Sequence, residues 1–160
     1  MRNEGGFTIV ELLVVIGISV ILAAAAAPLY GGLQVTAQLN DNTSLIVQTL
    51  RTARERSIAG FNNSRHGVYF DNNIGGVSNY ILYQGNSFAT RQTSYDRQTV
   101  FDAALITSST NFVLTNGTDI DVNFSKSAGV PNNIGTLRLI HNVNGGRNIL
   151  LNSIGKVEEE

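Results

Sequence analysis

The chain of 160 residues contains no cysteine. That removes disulfide scaffolds, thiolate zinc sites and cysteine nucleophiles together. Charge is also scarce: only 14% of residues carry one, against roughly a quarter in an ordinary soluble domain. Lys and Arg number 11 and Asp and Glu 12, a net charge of −1, so the chain is not a generally basic nucleic-acid binder. Apolar side chains are plentiful at 42%, which excludes disorder throughout. The length suits one domain plus a short extra element.

The missing charge has two sources. Residues 12–40 contain no charged side chain, and residues 12–27 are almost wholly aliphatic, broken only by Gly17 and Ser19. With Phe7, Ile9 and Val10 the run approaches the ~20 residues that span a bilayer core. Tyr30 stands where an interfacial aromatic belongs. The second source is the stretch from residue 61 to 160, with seven basic and eight acidic residues but 15 asparagines. Its polarity comes from amides and hydroxyls.

A secretory signal peptide is the rival reading of the apolar run, with residues 23–27 as a cleavage site. The run exceeds the usual 7–15 residues of a signal core, and Arg2 is balanced by Glu4. A plain membrane anchor fits the length, but Glu11 sits inside it. An ionisable group in a membrane helix costs up to a few kcal/mol and is normally retained for function; near the helix start it can also snorkel to water.

The stretch Gly6-Phe7-Thr8-Ile9-Val10-Glu11-Leu12-Leu13-Val14-Val15 resembles the class III signal of type IV prepilins and type II secretion pseudopilins. The resemblance implies a leader at residues 1–6, cleavage between Gly6 and Phe7 by a prepilin peptidase, and N-methylation at Phe7. It also implies an assembly role for Glu11, whose carboxylate would meet the cationic amino terminus of a neighbouring subunit. Two opposite buried charges compensate where one alone is unfavourable. Pro28 removes a helical hydrogen bond and, by the same resemblance, marks a helix kink; the alternative is a second helix starting there after a loop.

After Gly32 the pattern becomes amphipathic. Leu39, Ile46, Leu50 and Ala53 form a stripe at heptad-like steps, with Val35 before them, as expected of a helix with one buried face. The helix is expected to end near Ala59 with Gly60 as its cap. Arg51, Arg54, Glu55 and Arg56 fall off the stripe and are expected to serve the helix dipole and solvent, with DNA contact as the rarer alternative. From residue 61, short apolar runs separated by Gly and Asn predict strands at 67–70, 80–84, 99–101, 112–115, 120–124, 136–140 and 148–151. Asn116-Gly117 and Asn144-Gly145 are turn signals; the second predicts a hairpin late in the chain.

The expected fold is α+β, a long N-terminal helix packed on an antiparallel β-rich C-terminal head. Its divisions are a leader at 1–6, a transmembrane or filament-core segment at 7–30, an amphipathic half at 31–60 and the head at 61–160. Within the head, Gly67-Val68-Tyr69-Phe70, Tyr80-Ile81-Leu82-Tyr83, Arg147-Asn148-Ile149-Leu150-Leu151 and Gly155-Lys156-Val157 resemble the GspH/FimT-like minor pilin domain. One group of that subfamily takes part in DNA uptake through a basic element late in the chain. Here Glu158-Glu159-Glu160 follows and would repel phosphates, although Arg138, Arg147 and Lys156 could still cluster.

Other chemistry is thinly represented. His66 and His141 each lack a second histidine at ligand spacing and are expected to be structural. Asp119 and Asp121 flank Ile120 on one strand face. Asp71-Asn72-Asn73 with Gly75 has oxygen-rich loop composition but no later Glu of an EF-hand; some pseudopilins bind calcium, and no matching residues can be located. No nucleophile elbow or phosphate loop occurs, so neither enzyme activity nor a cofactor is expected. The implied partners are other pilin or pseudopilin subunits, prepilin peptidase, an inner-membrane assembly platform, and lipid before assembly, with DNA as the alternative. The implied location is the cytoplasmic membrane, single-pass with the head outside, then a pilus or pseudopilus.

Overall fold

A computed structural model describes residues 6–71, 79–101, 105–141 and 145–160. One helix, α1 (Ile9–Ile58), runs about 75 Å at 1.5 Å per residue. It passes through Pro28 as one element, so no second helix begins there. It ends where expected: Ala59 donates to the Glu55 carbonyl at 2.8 Å, and Gly60 takes the left-handed conformation at φ 61° that closes helices without a Cβ clash.

Among the described residues nine strands follow, in two antiparallel sheets. The first contains β1 (His66–Asp71), β2 (Asn79–Gln84), β3 (Arg97–Val100), β5 (Leu114–Thr115) and β6 (Asp119–Phe124), in the order β3-β2-β1-β6-β5. The second contains β4 (Leu105–Thr110), β7 (Gly135–His141), β8 (Gly146–Leu151) and β9 (Val157–Glu159), in the order β4-β7-β8-β9. All seven expected strands are present, with small shifts at their ends. Asn116 and Gly117 both have positive φ, 54° and 82°, and turn the chain between β5 and β6 as an Asn-Gly pair should. The late hairpin exists as β7 and β8; Asn144 itself lies outside the described residues, as do Asn72, Asn73 and Gly75.

Alternation builds the core. On the first sheet Val68, Phe70, Tyr80, Leu82, Ile120, Val122 and Phe124 face α1; on the second Leu137, Leu139, Ile149, Leu151 and Val157 do the same. Successive strand residues point to opposite faces, so every second side chain enters one cluster. Leu39, Ile46, Leu50 and Ala53 fill it from the helix, each at most 3% exposed, joined by Val47. Val35 packs at its margin.

The arginines of the last helical turns do more than serve the dipole, contrary to the sequence expectation. Arg54 donates to the carbonyls of Gly129 at 3.2 Å and Ile154 at 3.1 Å. Arg51 donates to the Val157 carbonyl at 3.1 Å. Both tie the helix to loops and strands 75 to 106 residues away, and charged donors make such bonds stronger than neutral ones. Ser57, fully buried, accepts from the His66 amide at 2.8 Å and fixes the passage from helix to β1.

Candidate functional site at the amino-terminal segment

Gly6, Phe7 and Thr8 precede the helix and are exposed. Thr8 is extended at φ −82° and ψ 153° and acts as N-cap, its side-chain oxygen accepting from the Glu11 amide at 3.2 Å. Glu11 is therefore the third helical residue, and Thr8-Ile9-Val10-Glu11 has the spacing of a capping box. The Thr-x-x-Glu pattern was available in the sequence. It gives Glu11 a local role beside the expected one: a carboxylate in the first turn faces the positive end of the helix dipole.

Among the described residues, nothing packs against Gly6. A Cβ built there meets nothing within 4 Å.

Beyond Glu11 the helix exposes aliphatic side chains all round. From Ile9 to Leu22 every large hydrophobic residue is at least 52% exposed. They occupy all angular positions of the helix, so no single buried stripe serves them. Among the described residues, every buried core residue of α1 lies at Leu39 or later. Among the described residues, no helix is long and apolar enough to cross a membrane.

The carboxylates of β6 form a second polar group on the outer face of the first sheet. Asp119 and Asp121 share that face, as the alternation predicts. Asp119 accepts from the Tyr69 hydroxyl at 2.7 Å, and Asp121 from the Tyr83 hydroxyl at 2.6 Å. Asn123 donates to the Tyr83 oxygen at 3.0 Å and to the Gly85 carbonyl at 2.9 Å. Phe88 stacks on Tyr69 at 3.6 Å between ring centres, and its amide donates to Asp121. The guanidinium of Arg91 lies 3.7 Å over the Phe88 ring and pairs with Asp96 at 2.8 Å. Burial first, then the bonded carboxylates, push both phenols well above the ordinary tyrosine range. Through Phe88 and Gly85 these bonds anchor the loop after β2 to the outer face of the first sheet.

His66 and His141 are both buried. Burial and the nearby Arg56 charge hold His66 below the ordinary imidazole range. Among the described residues, no three His, Asp or Glu side chains gather in a metal-binding group. Arg138, Arg147 and Lys156 do not form one cluster. Arg147 bonds Asn40 at 3.0 Å near the start of β8, whereas Lys156 follows its far end and pairs with Glu158.

Residues 1–27 match the family model described as the prokaryotic N-terminal methylation motif, the class III signal of type IV pilins. The chain thus carries the signal of a pilin-like precursor, and that signal implies processing by a prepilin peptidase and association with other pilin subunits in general. No curated protein and no solved structure matches the chain.

Proposed function

We propose that this chain is a filament subunit of the minor pilin or pseudopilin type, with no catalytic activity of its own. A peptidase cuts between Gly6 and Phe7, the new amino group of Phe7 is methylated, and the apolar half of α1 holds the subunit in the cytoplasmic membrane before it enters the filament core. The observation that carries this reading is the division of α1. The half after the signal exposes aliphatic side chains on every side, and the other half is built into the head. Exposed apolar surface of that extent needs lipid or other helices to cover it.

The physics of assembly follows from Glu11. A free amine at Phe7 lies at the positive helix end, where a cation is unfavourable. A carboxylate one turn in offsets it, and across a subunit boundary the pair compensates in a medium where either charge alone is costly. Pro28 and Gly31-Gly32 supply softness between the two halves, since the helix loses a backbone bond at proline.

The test is expression of the full chain with a prepilin peptidase. Mass spectrometry should show loss of residues 1–6 and gain of one methyl group. Gly6→Val should block the cut, because a subsite that fits glycine would then have to accommodate a branched side chain. Glu11→Ala should leave the cut intact and abolish incorporation into filaments. An uncut chain in the presence of active peptidase, or normal incorporation of Glu11→Ala, refutes the reading.

A further inference from the structure

The outer side of α1 in the head is flanked by two grooves of opposite charge. On one flank stands β3, an edge strand of the first sheet. The groove between them, about 170 Å³, includes Gln48, Thr52, Arg56, Arg97 and Thr99 in its walls. It continues past Arg56 and Arg97 into a depression of about 320 Å³ that reaches Ser94, Tyr95 and Asp96. Asp96 is committed to Arg91. Arg56 rests over the Phe61 ring at 5.7 Å, and neither Arg56 nor Arg97 has an ion pair among the described residues.

On the other flank stands β9, an edge strand of the second sheet. Its groove of about 440 Å³ is lined by Ser44, Gln48, Arg51, Thr52, Glu55 and Glu159. The Arg51 guanidinium donates to the Val157 carbonyl. Glu158 is paired with Lys156 in an exposed contact, the kind worth little. Glu160 continues the strand, exchanging two backbone bonds with Asn148 at 3.0 and 3.2 Å. Glu55 and Glu159 have no ion pair among the described residues.

We propose that the Arg56–Arg97 groove binds the acidic β9 end, Glu158 to Glu160, of a second copy of this chain. Gln48 and Thr52 line both grooves, so the two sites lie on opposite flanks of one helix and cannot meet within a molecule. They meet between molecules standing side by side. Guanidinium and carboxylate match in charge and in fork geometry. The contact joins two different surfaces, so each copy keeps one site open for a further neighbour and the array does not close on itself. This deepens the filament-subunit reading, on which it rests for bringing copies together in one orientation. It adds that copies adjoin one another through their heads.

The lack of cysteine gives a clean experiment on the full chain in membranes of cells that carry a prepilin peptidase. Ser94→Cys and Glu160→Cys, combined, place one thiol in the basic groove and one at the acidic strand. A short bifunctional thiol reagent should then yield a ladder of linked copies. Adding Arg56→Glu and Arg97→Glu should cut the linked fraction about tenfold, since like charges facing each other are strongly unfavourable. Adding Glu158→Lys and Glu159→Lys to that variant should restore the ladder. Three results overturn the proposal: linkage no greater than for Val113→Cys with Glu160→Cys, linkage indifferent to the arginine reversal, or no recovery with the compensating lysines. Protection of the Ser94→Cys thiol by an oligonucleotide, with no linked copies, also overturns it. Cleavage after Gly6 in the same cells reports the filament reading separately. Cleaved copies that do not link overturn the groove assignment alone, and uncleaved copies overturn the filament reading whatever the linkage.

Discussion

Gly67 shows how one missing methyl group sets the outer face of the first sheet. A Cβ there would sit 2.5 Å from the Tyr83 hydroxyl oxygen and 2.7 Å from the Val122 carbonyl oxygen. The Tyr83 ring crosses Gly67 to reach Asp121. Gly67→Ala should therefore lower stability by about 1–3 kcal/mol, the cost of overpacking, and denaturant midpoints of the detergent-solubilised chain measure it. Gly17→Ala, at a site where a Cβ meets nothing within 4 Å, should leave the head's midpoint unchanged. Tyr83 also makes a pH prediction. Its folded-state pKa is raised by burial and by Asp121. Above pH ~10 the unfolded chain releases that proton while the folded chain holds it, so stability should fall as pH rises past ~10. Tyr83→Phe should flatten that limb of the pH–stability curve. His66 works from the other side. Its folded pKa is lowered by burial and Arg56, so stability is intact above the unfolded value of ~6.5 and is lost as pH falls below it. Melting curves between pH 7 and 5 check this, with His66→Gln reducing the slope.

Among the elements, α1 was the most legible in the sequence. Its stripe, its end and its glycine cap follow from the spacing of Leu39, Ile46, Leu50 and Ala53 and from Gly60. Two strands escaped notice for separate reasons. β4 reads Leu-Ile-Thr-Ser-Ser-Thr, with hydroxyls where alternation would show apolar residues. β9 carries two glutamates and one buried residue, Val157; it is held by backbone pairing to β8 and by Arg51, neither visible in local composition. The arginines were misjudged for the same reason: a sequence window around Arg54 does not contain Gly129 or Ile154. Arg54→Ala should cost about 1.5–3 kcal/mol, the range for charged hydrogen bonds, whereas Glu55→Ala, with no such partner, should be nearly silent. Paired thermal unfolding curves separate the two. At the candidate site, the amino-terminal motif within residues 1–27 was legible because its pattern is contiguous, while the cap by Thr8 was overlooked although its residues stood in the same run.

At the scale of the whole molecule, the two halves of α1 answer to different surroundings. Among the described residues, no buried core residue precedes Leu39. A chain beginning at Gly32 should thus keep the head's unfolding midpoint and stay monodisperse without detergent at low protein concentration, whereas the full chain should aggregate. Sedimentation of both forms checks this, and a large drop in midpoint for the shorter chain would show that the apolar half supports the head.

The bonds from Arg51 to Val157 and from Arg54 to Ile154 also set a schedule. They span 106 and 100 residues of sequence, and β8 and β9 close over the same side of the helix. At a synthesis rate of ~5–20 residues per second, roughly 5–20 s separate the emergence of the helix from that of its last covering strands. For that interval β1 and the first sheet already cover part of the stripe, while the side that β8 and β9 close over stays open. Every newborn copy thus passes through a half-dressed stage, which ends only when Val157 arrives to close the second sheet over the helix.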